Sequence, residues 1–147
     1  MASVSIYLNF SGKAEEAFNF YKTVFGTEFL DQGIMRFREI PPSDEMSGLP
    51  ESDLDLVMHV TLPITGGFLL MGSDAPESMG YKVISGSNMY INLQPDTRSE
   101  TRQLFNALAQ GGSVEHELQD MFWGDYYGSL TDKFGIKWMF NCAEAEQ

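Results

Sequence analysis

Tyr7-Leu8-Asn9-Phe10, close to the start of the 147-residue chain, returns further on as Tyr90-Ile91-Asn92-Leu93. Each copy opens the same series of signals. Residues 3–10 alternate as a strand, and residues 13–25 then place Ala14, Ala17, Phe18, Tyr21 and Phe25 at helical spacing before Gly26 ends the run. In the second copy, residues 88–94 read as a strand and 97–110 as a helix with Leu104, Phe105 and Leu108 on one side. Gly111-Gly112 stops that helix.

The remainder of each half reads as strands. Residues 27–39 form one, and residues 40–55, with a Pro-Pro pair and several acids, form an exposed loop. Residues 56–62 and 68–72 flank the turn Pro63-Ile64-Thr65-Gly66-Gly67 as an antiparallel pair, and a second loop covers 73–86. Residues 114–119, 127–131 and 136–141 supply three more strands. The order is βαβββ twice, an internal duplication that predicts an α+β fold: one domain over 1–147, with a first module at about 1–75 and a second at about 86–142. A short curved sheet cannot cover both its faces, so the modules are expected to pair their sheets, keep the helices outside and leave a cavity for a ligand.

A formal net charge of −12, with nine scattered Lys and Arg residues, argues against nucleic acid and anionic membranes as partners. The single cysteine, Cys142, excludes an intramolecular disulfide and fits a reducing compartment. Its neighbours Phe-Asn and Ala-Glu offer neither a base nor positive charge, so an inert thiol is expected. The opening residues lack a basic, apolar leader, and no long apolar run follows; a cytoplasmic location is the expectation. Eleven Phe, six Tyr, two Trp and nine Met can line a small-molecule cavity, or fill cores and a subunit interface.

Several segments carry a resemblance: Tyr7-Leu8-Asn9-Phe10 with Gly12, Ala14-Glu15-Glu16-Ala17, Phe20-Tyr21 with Val24-Phe25-Gly26, Met58-His59 and Phe122-Trp123-Gly124-Asp125. The closing run Thr131-Asp132-Lys133-Phe134-Gly135-Ile136-Lys137-Trp138-Met139 is the most specific. In their order and spacing these segments resemble the PhnB-like branch of the vicinal oxygen chelate superfamily, which groups glyoxalases, bleomycin-resistance proteins and dioxygenases. The resemblance implies paired βαβββ modules, a homodimer and a ligand cavity. It leaves the chemistry open, because the superfamily includes metal-dependent isomerases and lyases, extradiol dioxygenases and metal-free drug-binding proteins.

In metal-using members of that superfamily, His and Glu come from the first and last strands of each module. The matching positions here are Ser5 or Ile6, Leu70 or Met71, Asn88 or Met89, and Met139. None is His or Glu, so no metal or other cofactor is expected; Ser and Asn alone would not hold Zn, Ni or Fe against water. His59 is the weak alternative ligand. His116 has acidic neighbours Glu115 and Glu117, but the alternation of a straight strand would send those carboxylates to the opposite face.

The candidate ligand contacts are Phe122, Trp123, Asp125 and Tyr127, which bring flat aromatic surface and one carboxylate to a connection between strands, together with Met71, Asn88 and Met139. A scaffold role stays open for the aromatic segment, with Trp123 anchoring the loop and Asp125 capping a turn. Met139 is expected to look into the cavity and Trp138, out of phase with it, to pack on a helix. Asp132-Lys133-Phe134-Gly135 reads as a structural turn. A methyltransferase assignment, which some PhnB-like sequences carry, finds no Gly-x-Gly-x-x-Gly loop here, and no Gly-x-x-x-x-Gly-Lys phosphate loop is present either. Catalytic residues remain unassigned. The expected function is binding of a small, partly apolar molecule in a metal-free cavity of a homodimer. The alternatives are a divalent-metal-dependent lyase, isomerase or dioxygenase, and a non-catalytic scaffold engaging a protein through the acidic stretch 44–55.

Overall fold

Among the described residues, two helices with one apolar face each and eight strands set the architecture. The computed structural model describes residues 1–41 and 48–145, which fall into two compact units, Met1–Ile84 and Ser85–Gln147. The first contains β1 (Ile6–Phe10), α1 (Ala14–Phe25), β2 (Met35–Arg36), β3 (Val57–Pro63) and β4 (Leu69–Asp74). The second contains β5 (Ile91–Leu93), α2 (Arg98–Leu108), β6 (Ser113–Asp120), β7 (Tyr126–Thr131) and β8 (Lys137–Cys142). Each sheet is mixed and four-stranded, ordered β1-β4-β3-β2 and β5-β8-β7-β6, with one parallel pair, β1 with β4 and β5 with β8. The predicted βαβββ repeat is therefore present in both topology and order.

In the first unit α1 lies on one sheet face. The residues beneath it follow from register: Val60 opposes Gly72, Leu62 opposes Leu70, and Phe10 aligns with Asp74. Phe18 and Tyr21 on α1 are fully buried against this face, each such side chain contributing about 2–3 kcal/mol. The helix start is fixed from outside the helix. The amide of Ala14 donates to Asp74 Oδ1 at 3.0 Å, and Asp74 Oδ2 accepts from Val57 N at 2.9 Å, so one buried carboxylate joins α1, β3 and β4. Gly26 closes α1 in the left-handed conformation, φ 65°, where a side chain would be strained.

The second unit repeats this plan with a local cap, Thr97 Oγ1 accepting from the Glu100 amide at 3.1 Å. Leu130, Trp138, Phe140 and Cys142 face α2 and are buried, and the Phe105 and Phe140 rings meet edge to face at 5.5 Å. Asp132 is buried in the following turn. It accepts from Phe134 N, Ile136 N and Trp138 Nε1, while Gly135 supplies φ 87°.

Two expectations need correction, and a third falls partly outside the described residues. Residues 27–39 are not one strand: only Met35–Arg36 pair with β3, and Phe37–Glu39 form a 3-10 turn. Asp31 at φ 57° and Gly33 at φ 77°, with Gly33 N bonded to Leu30 O, turn the chain before it can extend. The strand expected at 88–94 shortens to Ile91–Leu93, leaving Asn88 exposed ahead of it. The acidic stretch 44–55 lies partly outside the described residues. Within its described part, Glu51–Asp53 form a 3-10 turn, and Arg38 bonds both Glu51 and Asp55, so that charge is partly neutralised. Among the described residues no helix is long and apolar enough to cross a membrane.

Candidate functional site

Each sheet has a second face, away from its helix, and the polar and aromatic residues gather there. In the second unit β7 and β8 place Tyr127, Ser129, Thr131, Lys137, Met139 and Asn141 on this open face, since Ser129 opposes Met139, Thr131 opposes Lys137 and Tyr127 opposes Asn141. Asn92 of β5 aligns with Met139 and accepts from Asn141 Nδ2 at 2.8 Å. Met139 thus lies between polar neighbours on the face opposite Trp138.

One end of this face is aromatic. The β6–β7 connection turns tightly, Met121 N bonding Asp125 O and Gly124 N bonding Met121 O, with Gly124 at φ 101°. Phe122 and Trp123 meet edge to face at 4.9 Å, Trp123 meets Tyr127 at 6.0 Å, and His116 meets Tyr127 at 6.1 Å. Phe122 is 96% exposed and Trp123 49%, so neither serves as a core anchor. Asp125 closes the turn through its backbone carbonyl; its carboxylate makes no ion pair or hydrogen bond among the described residues.

The other end is charged. Glu115 accepts from Lys137 Nζ, from Thr131 Oγ1 at 2.8 Å and from Tyr90 Oη at 2.6 Å. The hydrogen bond from Lys137, followed by that from Tyr90, holds the Glu115 carboxyl down to about 2. Its hydrogen bond with Glu115 raises Lys137, and the same partner raises Tyr90. At neutral pH this cluster is a fixed ion pair ringed by hydroxyls. It can orient a polar group, but Glu115 is too acidic to serve as a general base. Tyr127 and Thr131 are four residues apart on one strand, so roughly 13 Å separates the aromatic end from the charged one.

The straight strand expected through His116 is not observed. Val114 opposes Leu130 but His116 opposes Ser129, so Glu115 is an extra residue, a β-bulge, and a second irregularity follows before Gln119. The Glu115 carboxylate comes within 3.5 Å of Ser129 Oγ, and the His116 ring reaches Tyr127, two residues away on the same face of β7. Both residues therefore share the open face that simple alternation would have divided between them.

The first unit's open face carries Tyr7, Asn9, His59, Thr61, Met71 and Ser73. His59 Nε2 lies 3.0 Å from Thr61 Oγ1, and its ring lies 5.8 Å from that of Tyr7. Ser5 Oγ contacts Met71 Sδ at 3.7 Å. A recess of about 660 Å³ opens where β1 and β4 end, walled by the segment after β4. Sequence reasoning missed it because that wall, within the loop predicted at 73–86, has no periodic pattern to read.

The model of the glyoxalase/bleomycin resistance protein/dioxygenase superfamily matches residues 7–140. The chain belongs to this superfamily. It is 32% identical to protein YjdN of Escherichia coli over 149 residues, covering 97% of each. Protein PA1353 of Pseudomonas aeruginosa superposes with a TM-score of 0.80 at 35% identity, over 99% of this chain and all of that one. The PhnB protein of Bacillus cereus gives 0.74 at 27%, over 97% of this chain and all of that one, in keeping with a PhnB-like member.

Register now separates the positions at which a metal-using superfamily member carries imidazole or carboxylate. In the first unit they are Ser5 and Met71, because Leu70 is buried beneath α1. In the second, Met139 lies on the open face, and Asn88 and Met89 precede β5 without a ladder bond. Hydroxyl, amide and thioether groups do not fit a divalent ion. Among the described residues no three His, Cys, Asp or Glu side chains are grouped to hold one. Phe122, Trp123, Tyr127 and Met139 thus belong to one open face, Asp125 adjoins it in the connecting turn, Asn88 stays outside the strand, and Met71 and His59 belong to the first unit.

Proposed function

We propose that this superfamily member binds a small, partly apolar organic molecule without a metal ion, on the open sheet face of its second unit. The observation that carries the reading is the run of rings Phe122, Trp123 and Tyr127, left accessible beside Met139 and facing the Glu115–Lys137 pair along the same strands. A flat body stacks on the aromatic end, and hydroxyl or amide groups bond to the polar end. Asp125, with an unpaired carboxylate, suits a positive group at the aromatic end; Asn88, ahead of β5, is a secondary contact in this reading, and Met71 stays with the first unit's open face. The functional form in this reading is a homodimer in which residues 1–147 act as one domain, as the family resemblance implies, and its place is the cytoplasm, in keeping with the single thiol.

The test is native mass spectrometry of untagged protein purified without chelator, with elemental analysis and a screen of planar organic ligands read by Trp123 fluorescence. A retained organic mass, or a saturable fluorescence change lost in Trp123→Phe, supports the reading. One stoichiometric metal ion per chain overturns it in favour of a metal-dependent lyase, isomerase or dioxygenase and directs attention to His59. Co-purification of a stoichiometric protein partner instead favours the scaffold reading.

A further inference from the structure

The recess of the first unit has a chemistry different from that of the second unit's aromatic face. Its volume, about 660 Å³, lies within the range of small-molecule sites. Phe37, Met58 and Met79 give it apolar walls. Asn9 and Ser73, neighbours across the β1–β4 pair, add uncharged polar groups. The wall is held in place: Ala75 N bonds Phe10 O at 2.7 Å, the 3-10 turn Glu77–Met79 closes at Gly80 with φ 87°, and Ser78 Oγ donates to Asp53 Oδ2 at 2.6 Å.

Lys82 also lines the recess. The chain carries 21 acidic residues against nine basic ones, and Lys13, Lys22, Arg36, Arg38, Arg98 and Lys137 each pair with a carboxylate. Lys82 has no such partner among the described residues. Asp74 is in the lining too, but both of its oxygens are taken by the amides of Ala14 and Val57. Those amides hold the Asp74 carboxylate without cancelling its charge, so the recess favours an apolar molecule whose single negative group sits at Lys82, which has no ion-pair partner among the described residues, and away from Asp74.

We propose that this recess binds an amphipathic monocarboxylate, its hydrocarbon body against Phe37, Met58 and Met79 and its carboxylate at Lys82. The experiment uses the 15N-labelled full-length chain titrated with octanoate and, separately, with octan-1-ol, which has the same tail without the charge. Octanoate is expected to shift the amides of Asn9, Ser73, Met79 and Lys82. Lys82→Gln weakens octanoate about three- to fivefold, the worth of an exposed ion pair, and leaves octan-1-ol unchanged. Met79→Trp fills the recess and removes both, while its spectrum shows that the fold is intact. The proposal is overturned if octanoate shifts no residue of the recess up to about 10 mM, where even a millimolar site saturates. It is equally overturned if the shifts fall on Tyr127 and Met139, or if Lys82→Gln binds octanoate as the wild type does. Trp123→Ala should change none of these results, so this site and the aromatic face succeed or fail separately.

Discussion

Tyr90 Oη donates to Glu115 Oε2 at 2.6 Å, joining the residue just ahead of β5 to the bulge of β6. Lys137 completes the cluster, and the Glu115 carboxyl lies below its ordinary 4.5, at about 2. A depressed carboxyl contributes stability above its unfolded value and loses it as pH falls through the folded one. Lys137 and Tyr90, raised from 10.5 and 10.0, contribute below those values and lose it as pH rises past them. Glu115→Gln should therefore lower the melting temperature by about 1–3 °C between pH 5 and 9. The difference from wild type should shrink toward zero between about pH 4.5 and 2. Thermal melts across that range check it, and a difference constant with pH would show that the cluster is not coupled to folding.

Asp132 accepts three hydrogen bonds while almost fully buried. Asp132→Ala leaves the amides of Phe134 and Ile136 and the indole of Trp138 without that acceptor, at a cost of about 3–4 kcal/mol in urea unfolding. Asp132→Asn keeps one acceptor oxygen and turns an amino group on a second donor, so it should lose roughly half as much.

A Cβ built at Gly72 would lie 2.5 Å from a Phe18 ring carbon and 2.8 Å from the carbonyl oxygen of Leu8. Gly72→Ala is expected to destabilise by about 2–3 kcal/mol, since one contact is with the side chain of α1 and the other with the backbone of β1. Combining it with Phe18→Leu should relieve only the first contact. A double variant no more stable than the sum of its parts would show that the ring is not the obstacle.

Trp123 is half exposed and packs on Phe122 and Tyr127, not in a core. Trp123→Ala should move stability by no more than about 0.5 kcal/mol. It should weaken a planar ligand on the open face about tenfold or more, because a stacked ring contributes beyond its buried area. Calorimetric titration of wild type and variant with the same ligand measures both effects.

Chelator treatment should leave the melting temperature unchanged, and added Zn, Ni or Fe should raise it by no more than nonspecific binding to surface acids would. The thioethers of Met71 and Met139 replace the carboxylates that would anchor such an ion. Differential scanning fluorimetry with and without each metal decides the matter.

The repeat was legible because its marks are local. Gly26 ends α1, Thr97 begins α2, and the alternation of Lys137 to Cys142 sends Trp138 and Phe140 to one face and Met139 to the other. The turn at Asp31 and Gly33 was not legible, because an apolar-rich run reads as strand until a positive φ interrupts it. The bulge left no trace either. Val-Glu-His-Glu-Leu keeps a perfect two-residue rhythm in residue type, and only pairing with β7 reveals that Glu115 and His116 share Ser129 as their counterpart. Asp74 ends β4 where the pattern alone reads as loop, because its partners are backbone amides distant in sequence. The recess depends on irregular chain returning to the ends of β1 and β4, which no spacing rule encodes.

The bulge in β6 also determines how this face can change by insertion and deletion. Removing Glu115 would leave the Ser113–Thr131 and Val114–Leu130 pairs in place and keep His116 opposite Ser129, because the residue lost is the extra one of the bulge. The carboxylate that holds Lys137 would go with it, while the imidazole kept its side and the buried row of Leu130, Trp138 and Phe140 kept its packing. A single codon lost at this point would thus strip the polar end of the face of its negative charge while sparing the core that keeps the chain folded.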